Sequence, residues 1–245
     1  MIDNGRLRRI SEECVYSHGR YNIGTYRERS QHLVLKKYFE ENAELHEVPV
    51  GGYIADIKKG NDITEIQTSG FGSLRRKLEA FSALDYSVTV VYPSPVRQRI
   101  VWVDPDTGER TQGRLINRPK AVYKLLPELL YISDFFGNEK ICVRAVLLCS
   151  ESVRLLDGFG DDRKSHATKL DTVPVEILDI TDIRDADALR ALLPFNKGQN
   201  LKSGDISKLL SLSRRNLWAA LKLLVKLEIL IPSAKEGNSI VYTVT

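Results

Sequence analysis

The sequence predicts an α/β protein in two parts, a larger sheet-and-helix domain over residues 1–185 and a small helix-and-hairpin domain over residues 186–245. Three observations predict it. Two strand-like segments, 53–59 and 62–68, flank the dipeptide Gly60–Asn61 and lead into an amphipathic helix over about 71–82 and an apolar strand over 87–92. Near 183–186, after the charge-rich stretch DITDIRDADAL, the pattern changes from strand-like to helical. Charge divides at the same place: residues 187–245 hold nine Lys and Arg against four Asp and Glu, a net of +5, while the first 186 hold 27 against 28, a net of −1. A chain of 245 residues, 42% apolar and 28% charged, is long enough to bury one large core and a small one, and this composition excludes disorder and collagen-like repetition.

The longest apolar candidate, LWAALKLLVKLEIL from Leu217, is broken by Lys222, Lys226 and Glu228, so no bilayer-spanning helix is expected. The first residues, MIDNGRLRRISEEC, have basic side chains but no apolar stretch after them, and a cytoplasmic protein with no membrane partner is expected. Cys14, Cys142 and Cys149 have no metal-type spacing and read as reduced thiols, the last two in a buried strand. Four scattered histidines make no zinc motif.

Gly60–Asn61 suits a two-residue hairpin turn, and that turn sets a register. If Lys59 faces Asp62, then Lys58 faces Ile63, Ile57 faces Thr64 and Asp56 faces Glu65. Directly opposed residues project to one face with Cβ atoms about 4.5–5.5 Å apart, so two carboxylates are brought together. Like charges in that position repel unless both are solvated or a cation lies between them. Mg²⁺ takes one or two carboxylates and keeps waters for its other positions. Gln67, two residues past Glu65, is expected on the same patch because strand side chains alternate.

Asp56, an eight-residue interval, Glu65-Ile66-Gln67, an amphipathic helix and a buried strand together resemble the core of the PD-(D/E)XK nuclease superfamily. Residues 26–39 read as its first helix and 43–50 as its first strand, so the resemblance covers roughly 26–93 in the order helix, three strands, helix, strand. The ExQ ending is most similar to nuclease-like proteins of the CoiA competence type and to some restriction endonucleases, where glutamine replaces the commoner lysine. The resemblance implies a restriction-endonuclease-like mixed-sheet core (αβββαβ) with extra β-rich elements, and Mg²⁺- or Mn²⁺-dependent phosphodiester hydrolysis. It implies Asp56, Glu65 and the Ile66 carbonyl as metal ligands, with Gln67 orienting water without bringing charge. A glutamate of the first helix often completes such sites. Glu28 is the candidate here, with His32 and Lys36 one turn further along each, and Glu40, Glu41 and Glu47 competing. Ser69 and Ser73 read as helix caps; Arg75, Arg76 and Lys77 read as phosphate contacts or as a solvated face.

Between 95 and 183, RQRIVWV, a DPDTG turn and TQGRLI suggest a hairpin, 120–131 a helix, and KICVRAVLLCSE a strand, with no legible function. The last part reads as a short helix at 187–193 stopped by Pro194, a second capped by Ser203, a third capped by Ser213, and a hairpin around Lys235–Asn238. In the third helix Leu217, Leu221, Leu224 and Val225, with Trp218 beside them, form a buried stripe. This order resembles the winged helix-turn-helix, and the resemblance implies that Arg214, Arg215, Asn216 and Lys222 face a major groove, with Lys235 on the wing. The expectation is a metal-dependent endonuclease acting on DNA, double-stranded in preference, with a homodimer compatible. The rival is a non-enzymatic winged-helix regulator whose nuclease fold is degenerate and used for dimerisation or partner binding.

Overall fold

The structure, a computed structural model, describes residues 2–16, 30–159, 167–237 and 239–245. Helices α1 (Asn4–Tyr16) and α2 (Ser30–Phe39) precede a 3-10 turn, Ala43–Leu45, and three antiparallel strands, β1 (His46–Val50), β2 (Tyr53–Lys59) and β3 (Asp62–Ile66). The register is the one counted back from the turn: Lys59 opposes Asp62, Lys58 opposes Ile63 and Ile57 opposes Thr64. Gly60 makes that turn at φ +59°, a left-handed conformation that glycine adopts without a Cβ clash.

Helix α3 (Phe71–Ala83) carries the chain across the sheet, so that β4 (Ser87–Val103) runs parallel to β3. β5 (Arg110–Asn117) folds back on β4. β6 (Ile141–Leu155) lies parallel on its other edge, and β7 (Thr168–Ile183) closes the sheet antiparallel to β6. Among the described residues the seven strands run β1-β2-β3-β4-β6-β7, with β5 on β4. β3 and β5 share one edge of β4 in succession, β3 at Ser87–Val91 and β5 from Arg97 onward. Pro93 and Pro95 lie in the interval. Val91 turns its carbonyl to the β3 side, accepting from the Gln67 amide at 2.9 Å. By alternation the two proline nitrogens face that same edge, where no donor is required.

At the centre of the sheet, along β4 and β6, both faces are buried, as near-continuous apolar strands require. On one face Ile63, Val88 and Val90 pack with Phe71, Leu74, Leu78 and Phe81 of α3; on the other, Ile66, Val91 and Val146 pack with Leu7 of α1 and Val34 and Leu35 of α2. The helix expected over 120–131 is instead a 3-10 turn (Pro119–Lys124), a short α4 (Leu125–Leu129) and a second 3-10 turn (Leu130–Phe135). Pro127 has no N–H to donate one turn back, which prevents one continuous α-helix.

The last part contains α5 (Ala186–Leu192), β8 (Asn200–Lys202), α6 (Ser203–Leu210), α7 (Arg214–Lys226), β9 (Leu230–Glu236) and β10 (Ser239–Val244), with a second sheet ordered β8-β10-β9. Asp185 caps α5 and Ser213 caps α7, accepting from Ala188 and Asn216 amides at 2.8 and 3.4 Å. Two expected caps are corrected. Ser203 is the first helical residue of α6, whose turn is closed by Asp205 accepting from the Lys202 amide at 3.0 Å. Helix α3 begins at Gly70, with Ser73 donating back to the Gly70 carbonyl at 2.8 Å and the Phe71 amide donating to Glu128 of α4 at 3.0 Å. Trp218 is corrected too: the buried side of α7 is Ala220, Leu223 and Leu224, and the indole faces outward. Apolar side chains of α5–α7 join the core of α3 and α4, so two sheets are served by one continuous core.

Candidate functional site

The main sheet opens where β2 and β3 part. Their ladder is regular through Ile57 and Thr64; past it, side chains take over the bonding. The Ile66 amide donates to Asp56 Oδ2 at 2.7 Å, and the Asp56 amide donates to Glu65 Oε1 at 3.2 Å. The two acids therefore meet at the divergence, each capping the other's strand. This local bonding follows from the hairpin: its short turn aligns Asp56 with Glu65, and a carboxylate can satisfy an amide that the separating backbone no longer reaches.

Two further side chains converge there. His32 Nε2 of α2 lies 3.1 Å from Asp56 Oδ2, and Lys77 Nζ of α3 lies 2.5 Å from Glu65 Oε2. Helices from the two faces of the sheet thus reach the acids from opposite sides. Glu65 is buried, its side chain 2% exposed, and Lys77 is 18% exposed.

Burial pushes the Asp56 carboxyl up, but the His32 hydrogen bond and charge, the Ile66 amide and the Lys77 charge together hold it below its ordinary value. Glu65 moves the other way. Burial, then the Asp56 charge, push it up to about 7, and Lys77 only partly offsets them. The pair is split, Asp56 held below its ordinary value and Glu65 raised to about 7.

Gln67 does not join the acids in hydrogen bonding: its side-chain amide donates to the Ser69 carbonyl at 2.5 Å, inside its own loop. Its backbone amide is fixed on β4 by the Val91 carbonyl. Glu28 lies outside the described residues. The competing glutamates are engaged elsewhere, Glu40 with Lys59 at 2.9 Å, Glu41 with Arg6 at 2.9 Å and Glu47 with buried Lys36 at 2.8 Å. Among the described residues no group of three or more His, Cys, Asp or Glu side chains forms a metal cluster.

Sequence reading underrated Lys77 and His32. The signal for Lys77 was present: Leu74, Leu78 and Phe81 make the buried stripe of α3, and position 77 falls within it. A lysine at an inward position needs an anion, and Glu65 supplies it. Arg75, by contrast, bonds Glu79 at 3.0 Å and Asp134 at 2.7 Å on the surface.

The residues expected to meet DNA lie elsewhere. Arg214, Arg215, Lys222 and Lys235 are exposed, and Asn216 is half-buried. At the far end of α7, half-exposed Lys226 is held by Asp134 and by Ser133 Oγ at 2.8 Å. No helix among the described residues is long and apolar enough to cross a membrane.

These features define a mixed α/β protein with a seven-stranded sheet among its described residues and a carboxylate pair at the divergence of two strands. The chain belongs to the family described as "Domain of unknown function (DUF8091)", which matches residues 29–184. That span holds the main sheet from β1 to β7 and all four site side chains. It is also similar to an uncharacterized protein of Treponema pallidum (strain Nichols), 29% identical over 168 residues that cover 68% of this chain and 66% of that relative. No solved structure matches.

Proposed function

We propose that this protein is a metal-dependent DNA endonuclease that hydrolyses phosphodiester bonds at Asp56 and Glu65 and anchors its substrate through α7. One observation carries the reading: two carboxylates adjoin where β2 and β3 part, each bonded to the other's strand. The flanking order agrees with the nuclease resemblance, α2, three antiparallel strands, α3 and then a parallel β4.

The residues fit a divalent ion. Asp56 keeps its charge, and its Oδ1 has no hydrogen-bond partner among the described residues. With Glu65 it provides the one or two carboxylates that Mg²⁺ takes, and the Ile66 carbonyl is the third expected ligand. A bound Mg²⁺ or Mn²⁺ would polarise the phosphate and lower the pKa of an attacking water. The chain's own groups do the rest. His32 orients Asp56 through Oδ2, and among the described residues Oδ1 is left without a partner. Lys77 brings to Glu65 the positive charge that Gln67 lacks, and in a closed site such a charge favours the anion that develops on phosphate. Arg214, Arg215, Asn216, Lys222 and Lys235 would contact the DNA, read as a winged-helix surface with β9 and β10 as the wing.

The rival regulator reading has its own support: both Glu65 oxygens are already taken, by the Asp56 amide and by Lys77. Incubating supercoiled plasmid with purified protein and Mg²⁺ or Mn²⁺ separates the two. Nicking abolished by Asp56→Ala and by Glu65→Ala supports the nuclease; tight binding with no metal-dependent cut supports the regulator.

A further inference from the structure

On α7 one large side chain departs from the pattern of the rest. Trp218 is 61% exposed, whereas Ala220, Leu223 and Leu224 on the same helix are fully buried. A single exposed apolar residue is ordinary, and what sets this one apart is its company. Lys222 Nζ sits 4.0 Å from the centre of the indole, in cation–π contact with one face of the ring. Arg214 and Arg215 are exposed one turn earlier, and α7 itself contains no acid. Among the described residues none of these three cations has an acidic partner.

A flat apolar surface bordered by unpaired cations matches a ligand that is flat and anionic, which describes a nucleotide in a strand. An intact duplex cannot use this surface fully, because its grooves present base edges while the base faces stay stacked inside. An unpaired base has a free face and stacks on an aromatic ring whatever its sequence. We infer that Trp218 is a stacking platform for an unpaired base, so that the protein recognises DNA where duplex gives way to single strand. This rests on the reading of α7 as a DNA anchor and narrows its substrate class. Arg214 and Arg215 hold the backbone of the emerging strand, and Lys222 braces the exposed indole on which the base stacks.

The test is fluorescence anisotropy with the full chain in EDTA, so that cleavage does not intervene. Three labelled probes are compared: a blunt duplex, the same duplex with a thymidine tail of about ten nucleotides, and the free single strand. The tailed duplex is expected to bind about tenfold more tightly than the blunt one. Trp218→Ala is expected to erase that gap, and Trp218→Phe to keep part of it. In a Trp102→Phe background, the remaining Trp218 emission is expected to be quenched by single strand and not by blunt duplex. Equal binding of blunt and tailed probes, or a gap that survives Trp218→Ala, overturns the stacking platform and spares the anchor. Failure to bind any of the three overturns both.

Discussion

Lys77 Nζ lies 2.5 Å from Glu65 Oε2, so the inward stripe of α3 carries the counter-charge for the single fully buried Asp or Glu among the described residues. The pair joins helix to sheet at the candidate site. Its four immediate members, His32, Asp56, Glu65 and Lys77, come from α2, β2, β3 and α3.

Removing one partner leaves the other charge buried alone, which costs about 3–5 kcal/mol. Lys77→Met is therefore expected to lower stability by about 3 kcal/mol at pH 8. The double variant Lys77→Met/Glu65→Gln is expected to recover most of it, since neither charge remains. Urea denaturation of the two variants reads this directly; a single-variant loss under about 1 kcal/mol would mean the pair is not buried as described.

The same acid makes stability depend on pH. Glu65 rises from an ordinary 4.5 to about 7 on folding, so the folded state binds its proton more tightly than the unfolded chain does. Its contribution is fully present below pH 4.5 and is lost as pH climbs through about 7. The change is on the order of 3 kcal/mol. Asp56 acts in the opposite sense, its stabilisation being lost as pH falls through its depressed folded value, below the Glu65 window. Wild-type stability is thus expected to decline from pH 5 to pH 8, and Glu65→Gln to flatten that decline. Parallel slopes for the two proteins would refute the assignment.

Arg214 and Arg215 precede Trp218 with no acid beside them on α7. If both neutralise phosphates, replacing them by Ala lowers the slope of log affinity against log salt by roughly 2 for duplex DNA. Duplex titrations between about 50 and 200 mM salt give the slope. An unchanged slope removes these two side chains from the interface.

Leu129 of α4 is completely buried in the core that α3 shares with α7. Leu129→Ala is expected to cost about 2–5 kcal/mol, the range for a buried leucine that leaves a cavity. Because one core serves both sheets, wild type and variant are each expected to unfold in a single transition by circular dichroism. Two separated transitions would show that the last 60 residues fold independently. Asp134→Ala, which removes the surface carboxylate shared by Arg75 and half-exposed Lys226, is expected to cost under about 1 kcal/mol.

Much of the architecture was legible because short-range rules dictate it. Gly60–Asn61 dictated a hairpin register, and the stripe of Leu74, Leu78 and Phe81 placed a helix after it. The apolar spacing over 120–131 suggests one helix, but Pro127 outweighs it and the segment breaks into shorter turns. Trp218 lies outside the buried side of α7 because helical spacing marks a stripe without saying which neighbours cover its margins. Ser203 and Ser73 resemble caps in sequence, yet Asp205 and the distant Glu128 supply the bonds.

By itself the sequence determined that Asp56 and Glu65 would be neighbours, since a two-residue turn leaves no freedom in the counting of strand partners. Only the tertiary structure decided what those acids face. His32 and Lys77 reach them from helices on opposite sides of the sheet, and the environment that splits their proton affinities comes from that packing. Such contacts join residues far apart in the chain, and no local spacing rule encodes them.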